Sequence, residues 1–325
     1  MTDILFRTDH LSRIFRSGRQ KVIALDDITL DLKNGETLSL VGESGCGKTT
    51  LARTLLGVYT PDCGTVLWKG KDLQKLSRTE LTDFRKRNQM IFQDPYASLD
   101  PRMTVMEIIS EGMRRHLSLR PDERRKRVSE LLETTGLREE FADRFPHELS
   151  GGQRQRIGIA RALALEPECL FLDEPIAALD VSVQAQIINL LMKLQEEKDL
   201  TYLMISHDLS IVRHISDRIA VMYLGKIVEL SDAEDLYEAP QHPYTKALLS
   251  AIPQADPESG WLNRRIPLSG EVPDPTIQIS GCRFAPRCPQ ASDLCRKQAP
   301  PLLEIQPGHM AACWNITDKS EAEER

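Results

Sequence analysis

Thr37-Leu38-Ser39-Leu40-Val41-Gly42-Glu43-Ser44-Gly45-Cys46-Gly47-Lys48-Thr49-Thr50 decides the fold. Its first five residues are short and largely apolar, as in a strand buried within a parallel sheet. Three glycines in six positions then force a turn that other residues resist, and Lys48 to Leu56 carries helical spacing. Strand, glycine loop and helix in immediate succession is the context that makes the 42–49 pattern a phosphate cradle rather than a chance turn. Backbone N–H groups around Gly42, Ser44, Gly45, Cys46 and Gly47 turn inward, and the helix start adds the positive end of its dipole. Lys48 is expected to reach the β- and γ-phosphates. The hydroxyl of Thr49, followed by Thr50, is expected to serve Mg²⁺.

Upstream, Ile28 to Leu32 alternates with period two and Gly35 marks a turn, so residues 3–40 read as strands. Downstream, Gly64 to Trp68 reads as a strand and residues 77–168 as mostly helical, with stops at Pro95, Pro101, Pro121 and Pro146. Cys169 to Leu172 and Tyr202 to Ile205 read as two more buried strands, with a helix including Leu190 to Glu197 between them. This alternation predicts an α/β core with a parallel sheet, interrupted by a helical insert. There is no internal repeat, so one nucleotide domain is expected.

Other chemistry-bearing stretches occur once each. Asp173 ends an apolar strand, which should present its carboxylate at the sheet's C-terminal edge, where it can hold hydrated Mg²⁺. Glu174 follows as the candidate general base for an attacking water. Leu149-Ser150-Gly151-Gly152-Gln153 opens a helix with Ser150 at the cap, which is a second anion-binding helix start. One active site does not need two such cradles.

These motifs in this order resemble the ATP-binding subunits of ABC transporters, from near the N-terminus to about residue 255. The resemblance implies a P-loop ABC-type domain: a RecA-like core, an antiparallel β subdomain and a helical subdomain over about 94–160. It further implies that Ser150, Gly151, Gly152 and Gln153 bind the γ-phosphate of a nucleotide on the opposite subunit, so hydrolysis depends on dimerisation. Gln93 resembles the Q-loop glutamine that senses Mg²⁺ and water, Asp180 the D-loop aspartate, and His207 the switch histidine at the γ-phosphate. Ala177 stands where the D-loop usually has serine. Phe15 fits the aromatic that stacks on adenine.

Finer resemblance points to dipeptide, oligopeptide and nickel importers. It is carried by Tyr96-Ala97-Ser98-Leu99-Asp100-Pro101-Arg102, Leu179 to Gln186, His242-Pro243-Tyr244-Thr245-Lys246-Ala247-Leu248-Leu249 and Leu268-Ser269-Gly270-Glu271-Val272-Pro273. The implied partners are two transmembrane permeases, a different second ATPase and, indirectly, a substrate-binding protein. Gly45-Cys46-Gly47 makes this chain look like the second ATPase of such a pair. Related ATPases serve nickel or glutathione, and residues that read the substrate lie in the partners. A soluble ABC ATPase acting on DNA or ribosomes is the rival from another class. It would need a long coiled coil or tandem cassettes, and this chain shows neither. A silent structural partner would need a degenerate site, whereas Glu174 and His207 are present.

Composition bounds the rest. In 325 residues, 41% are hydrophobic and 28% charged, as in a globular protein. No run approaches the ~20 apolar residues of a membrane span, and the N-terminus lacks a signal-peptide plan. The expected place is the cytoplasmic face of the bacterial inner membrane, reached through partners. A net charge of −6 argues against a nucleic-acid partner. The basic run Arg114 to Arg127 reads as a solvated helix face.

Past Ala251, Pro253, Pro257, Pro267, Pro273 and Pro275 signal a linker and a loop-rich appendage. This gives an ATPase domain over 1–255 and an extension over 256–325. The last residues, 317–325, are charged and read as frayed. The extension carries Cys282, Cys288, Cys295 and Cys313, separated by five, six and seventeen residues, and its sequence promises little core of its own. A metal staple is therefore a candidate. Zinc, a [4Fe–4S] cluster and unmetallated thiols all stay open on spacing, and the importer resemblance favours the cluster. His309 reads as a surface histidine.

Overall fold

The five residues of Thr37–Val41 are all buried, as their apolar run predicts. From Leu38 to Val41 they pair in parallel with Arg218 to Val221. The computed structural model describes residues 3–316, apart from 19, 254–264, 269, 272, 275 and 278. Pro257, Pro275, Ser269, Val272 and the charged 317–325 tail therefore lie outside the described residues. The chain divides into two units.

One unit holds residues 33–37 and 75–206. Three parallel strands, Asn88–Ile91, Cys169–Asp173 and Thr201–Ile205, form its sheet, with Cys169–Asp173 in the middle. All five residues of Cys169–Asp173 and of Thr201–Ile205 are buried, which is the environment that selects near-continuous apolar runs. The Asn88–Ile91 strand lies inside the stretch read as mostly helical; its Asn-Gln start hides it from a hydrophobicity pattern. Helices Val105–His116, Pro121–Thr134 and Gly151–Leu163 pack on one another. Thr104 and Glu107 form a capping box that starts the first of these. The basic run spans the end of that helix and the start of the next. Its charges meet acids on the surface, Arg120 with Glu123 and Arg125 with Asp143.

The other unit holds residues 4–32, 38–74 and 207–316. Strands Ile4–Ser17, Gln20–Lys33, Cys63–Trp68 and Lys71–Asp72 make a four-stranded sheet, in which Ile4–Ser17 pairs antiparallel with Cys63–Trp68. Strands Arg218–Tyr223 and Lys226–Asp232, absent from the sequence reading, continue outward from Thr37–Val41 as an antiparallel hairpin. Two strands of the extension, His309–Ala311 and Leu303–Gln306, then add to its edge.

The extension is therefore less independent than its prolines suggest. Phe284 is 1% exposed and packs against Tyr223 and Tyr244, ring centroids 5.3 Å from each. Burying a phenylalanine contributes about 1.5–3 kcal/mol. The core that packs on Phe284 is supplied by strand Arg218–Tyr223 and helix Pro243–Ser250. His309 is not a surface residue: it is 2% exposed, with Nε2 2.7 Å from the carboxylate of fully buried Glu229. That carboxylate also accepts from the backbone N–H groups of Gln241 and His242. A partner 80 positions away leaves no local sign beside His309.

Candidate nucleotide site

In the second unit, the chain leaves Thr37–Val41 and passes through residues 42–47 into helix Lys48–Leu55. Gly42 has φ 146° and Gly47 φ 109°. A Cβ on Gly42 would lie 2.2 Å from the Met222 carbonyl oxygen, and one on Gly47 would lie 2.3 Å from that of Ala24. Only glycine satisfies both the backbone angle and the space. Ser44 and Gly45 are exposed, so the rim of the loop opens to solvent. Gly47 is the N-cap of the helix and provides no side-chain cap, leaving the helix start as a site for an anion. Lys48 is 6% exposed, and its Nζ donates to the carbonyls of Gly42 (2.7 Å) and Glu43 (3.0 Å). This ammonium is held across the mouth of the loop, where a phosphate oxygen can replace the carbonyls. Cys46 is buried, and burial pushes its thiol up, so it is an inert packing residue.

The loop is also gripped from outside, which the sequence did not reveal. Glu43 N–H donates to the Tyr244 hydroxyl at 2.8 Å, and Gly225 N–H donates to the Cys46 carbonyl at 2.8 Å. The Glu43 carboxylate accepts both Nη groups of Arg287, at 2.7 and 3.1 Å. Phe15 sits on strand Ile4–Ser17 with Tyr59 edge-on at 5.3 Å and the Arg13 guanidinium 5.0 Å from its ring centre. His207 is exposed, directly ahead of helix Leu209–Ile215, whose start Asp208 caps by accepting from Ser210 and Ile211 N–H.

In the first unit, Asp173 ends the buried strand Cys169–Asp173 and is 3% exposed. Glu174 has φ 47°, a left-handed conformation rare for a non-glycine residue and concentrated at functional sites. Its N–H donates to the Ile205 carbonyl at 3.0 Å, which ties the turn to the neighbouring strand. Gln93 Nε2 donates to the Glu174 carboxylate at 2.9 Å. The structure thus brings together two residues separated by 81 positions that the sequence reading assigned to one catalytic step.

Helix Gly151–Leu163 starts with Ser150 as N-cap. Ser150 Oγ accepts from Gln153 N–H, and Gln153 Oε1 accepts from Ser150 N–H at 2.9 Å, a capping box. A Cβ on Gly152 would lie 2.5 Å from Val183 Cγ1, and one on Gly151 3.3 Å from Leu179 Cδ2. These glycines are therefore also needed for close packing on the 177–184 segment. Asp180 is exposed at the N-cap of helix Val181–Lys198, and Gln184 holds the turn before it through the Ile176 and Leu179 carbonyls.

Comparison with known proteins gives the same assignment. Residues 25–177 match the ABC transporter family, and residues 228–295 match the C-terminal region of oligopeptide/dipeptide transporters. The oligopeptide transport ATP-binding protein OppF of Bacillus subtilis is 58% identical over 324 residues, covering 98% of this chain and 99% of that protein. The putative oligopeptide transport ATP-binding protein YkfD of the same organism is 54% identical, covering 95% and 94%. The chain belongs to the oligopeptide-transport type of ABC ATP-binding protein. Its fold is also that of cbiO1 from Clostridium perfringens, part of the ABC transporter complex cbiONQ (TM-score 0.65, 32% identity, 73% of this chain and 92% of that one). It likewise matches the bacterial ABC transporter cassette MJ0796, solved as a dimer (TM-score 0.64, 32% identity, 70% and 98%).

As an ABC ATPase it requires ATP and Mg²⁺. Among the described residues no helix is long and apolar enough to cross a membrane.

The tail cysteines are partly or fully buried and unbridged. Cys282 N–H donates to the Cys295 carbonyl at 2.7 Å, and Ser292 caps the short helix Asp293–Lys297 that carries Cys295. Burial pushes the Cys282 thiol up to about 11, and its neighbours Cys295 and Cys288 add to the shift. Burial likewise raises Cys288, beside Cys295, and Cys313, beside Cys288 and Cys295. Among the described residues no three Cys, His, Asp or Glu side chains converge as the ligands of one metal ion would. The arrangement therefore gives no support to a metal at these cysteines, whether zinc or an iron–sulfur cluster.

Proposed function

We propose that this ABC ATPase energises the import of oligopeptides through a membrane permease. The observation that carries the reading is the peptide-transporter match over residues 228–295, a segment ATP chemistry does not require, together with near full-length likeness to OppF. Nickel and glutathione importers of the same type are the alternatives for cargo. In this reading the chain works at the cytoplasmic face of the inner membrane, with two permeases, a different second ATPase and an upstream substrate-binding protein. Residues 1–255 are the ATPase domain, 94–160 its helical subdomain, and 256–325 the extension. Phe92 and Tyr96, beside Gln93, are 42% and 62% exposed. They supply apolar surface suited to a permease.

The residue roles follow from chemistry. Phe15 stacks on adenine, the backbone of residues 42–47 with Lys48 and Thr50 holds the phosphates, and Thr49, Gln93 and Asp173 serve Mg²⁺. Mg²⁺, when bound, offsets charge on the phosphate oxygens. Glu174 accepts the proton of the attacking water while Gln93 fixes its carboxylate; His207 contacts the γ-phosphate. Ser150, Gly151, Gly152 and Gln153, with Asp180, act on the nucleotide of the opposite subunit.

For the four tail cysteines we propose a [4Fe–4S] cluster. The four cysteines, each partly or fully buried, match its donor number and kind, and a cluster spaces its sulfurs more widely than one ion does. Iron and acid-labile sulfide in anaerobically purified protein would support it, and their absence would leave plain thiols.

The deciding experiment is to purify the tagged chain from gently solubilised membranes and identify its companions. Two permeases and a second ATPase establish the importer; recovery alone, or with ribosomes or DNA, overturns it.

A further inference from the structure

Residues 282–288 lie over the outside of the phosphate loop and make three kinds of anchor there. Phe284 is the apolar one, buried between Tyr223 and Tyr244. Arg283 pairs with Asp26 at 2.6 Å and donates to the Leu224 carbonyl, next to the Gly225 N–H that holds Cys46. Arg287, 9% exposed, puts both Nη groups on Glu43 inside the loop and a third, longer contact at 3.4 Å on the Tyr223 hydroxyl. The Glu43 pairing raises the Arg287 pKa further, so the guanidinium stays charged.

From these contacts we propose that Arg287 is a positioning residue for ATP binding, and that the C-terminal extension acts as a brace on the phosphate loop of its own chain. The proposal rests on the ATPase reading above and adds a role for residues outside the catalytic motifs. Glu43 fills a position that the glycine-lysine pattern leaves open and phosphate chemistry does not require; a carboxylate there adds negative charge beside the anion to be bound. Arg287 cancels that charge. Its two parallel hydrogen bonds also fix the side chain in orientation, which a lysine's point charge cannot do. Tyr244 holds the same residue by its N–H, so Glu43 is clamped at backbone and side chain together. Lys48 donates to the carbonyl of this clamped residue and of Gly42, so the clamp sets where the phosphate-binding ammonium rests. A loop ordered before ATP arrives loses less freedom on binding, which appears as affinity.

The test measures Mg²⁺-dependent binding of a fluorescent ATP analogue (mant-ATP) to the full chain. The variants are Arg287→Met, Arg287→Lys, Glu43→Gln and the double Glu43→Gln/Arg287→Met, with far-UV circular dichroism and Tm recorded for each. Arg287→Met should weaken binding at least tenfold, Arg287→Lys should recover part of the loss, and the double variant should lose no more than the worse single one. A folded Arg287→Met chain with wild-type affinity overturns the brace. Should that variant not fold, the double variant, which leaves no unpaired buried charge, decides: wild-type affinity overturns the proposal and tenfold weakening upholds it. A merely structural role would move Tm and leave affinity alone. Failure of the wild-type chain to bind the nucleotide sinks the ATPase reading and the brace with it, whereas wild-type binding matched by every variant sinks the brace alone.

Discussion

Two helix starts in this protein face the same electrostatic problem and solve it in opposite ways. At Lys48–Leu55 the cap is Gly47, in a left-handed conformation with no side chain to offer. At Gly151–Leu163 the cap is Ser150, whose capping box with Gln153 satisfies two donors from within the chain. The first start is built around glycines in conformations other residues resist and is left for a ligand; the second is complete by itself. An anion site that must hold ATP in every cycle is preformed and uncapped. On the proposed role, in which the Ser150 start meets a nucleotide only when two subunits close, the capping box is an internal substitute in the meantime. A third helix start, Pro243–Ser250, is capped by the neutral imidazole of His242, whose Nδ1 accepts from Tyr244 N–H at 3.1 Å.

The largest expected effect lies on chemistry that neither helix start performs. Glu174→Gln should lower ATP hydrolysis in the assembled transporter by about 10²–10⁴-fold while MgATP binding persists. Normal turnover would remove Glu174 from the role of base. Next, Gly47→Ala places a methyl 2.3 Å from a backbone oxygen at φ 109°, so the loop must move. Nucleotide affinity should fall by about 100-fold or more, equivalent to roughly 2.7 kcal/mol. Equilibrium binding reads this directly, and near-wild-type affinity would break the contrast between the two starts.

The His242 cap titrates. Burial lowers its pKa from 6.5 to about 4, so the folded chain holds it neutral while the unfolded chain takes up a proton. The stability it supports is present above pH 6.5 and declines as pH falls from there towards 4. The total decline is about 3 kcal/mol. Denaturant melts at stepped pH should show it, and His242→Asn, which keeps a cap without titrating there, should flatten it. The smallest effect belongs to Ser150→Ala. Losing the cap costs about 1 kcal/mol, seen as a drop in Tm of a few degrees, with MgATP binding by the isolated chain unchanged.

Legibility followed distance along the chain. Thr37 to Leu56 could be read because strand, loop and helix are adjacent and each carries its own pattern. The Ser150 cap and the buried strand ending at Asp173 were readable for the same reason. Asn88–Ile91 was hidden by its polar start and by helices on both sides. Arg218–Tyr223 and Lys226–Asp232 are short runs that carry no motif, and periodicity alone does not separate such runs from buried helix. His309 was misplaced because its burial depends on Glu229, 80 positions earlier. The Arg287–Glu43 pair left no trace at all: neither residue has a neighbour that announces the other. Packing that closes over long separations is set by the fold, and motifs cannot report it.

That last separation also has a meaning in time. Glu43 and Arg287 are 244 positions apart. At a synthesis rate of about 5–20 residues per second, Arg287 is made roughly 12–50 s after Glu43. Tyr244, the loop's other outside support, also comes late. Through most of its translation the nascent chain therefore carries a phosphate loop without its outer supports. Synthesis and emergence of the chain through Arg287 is the event that completes it.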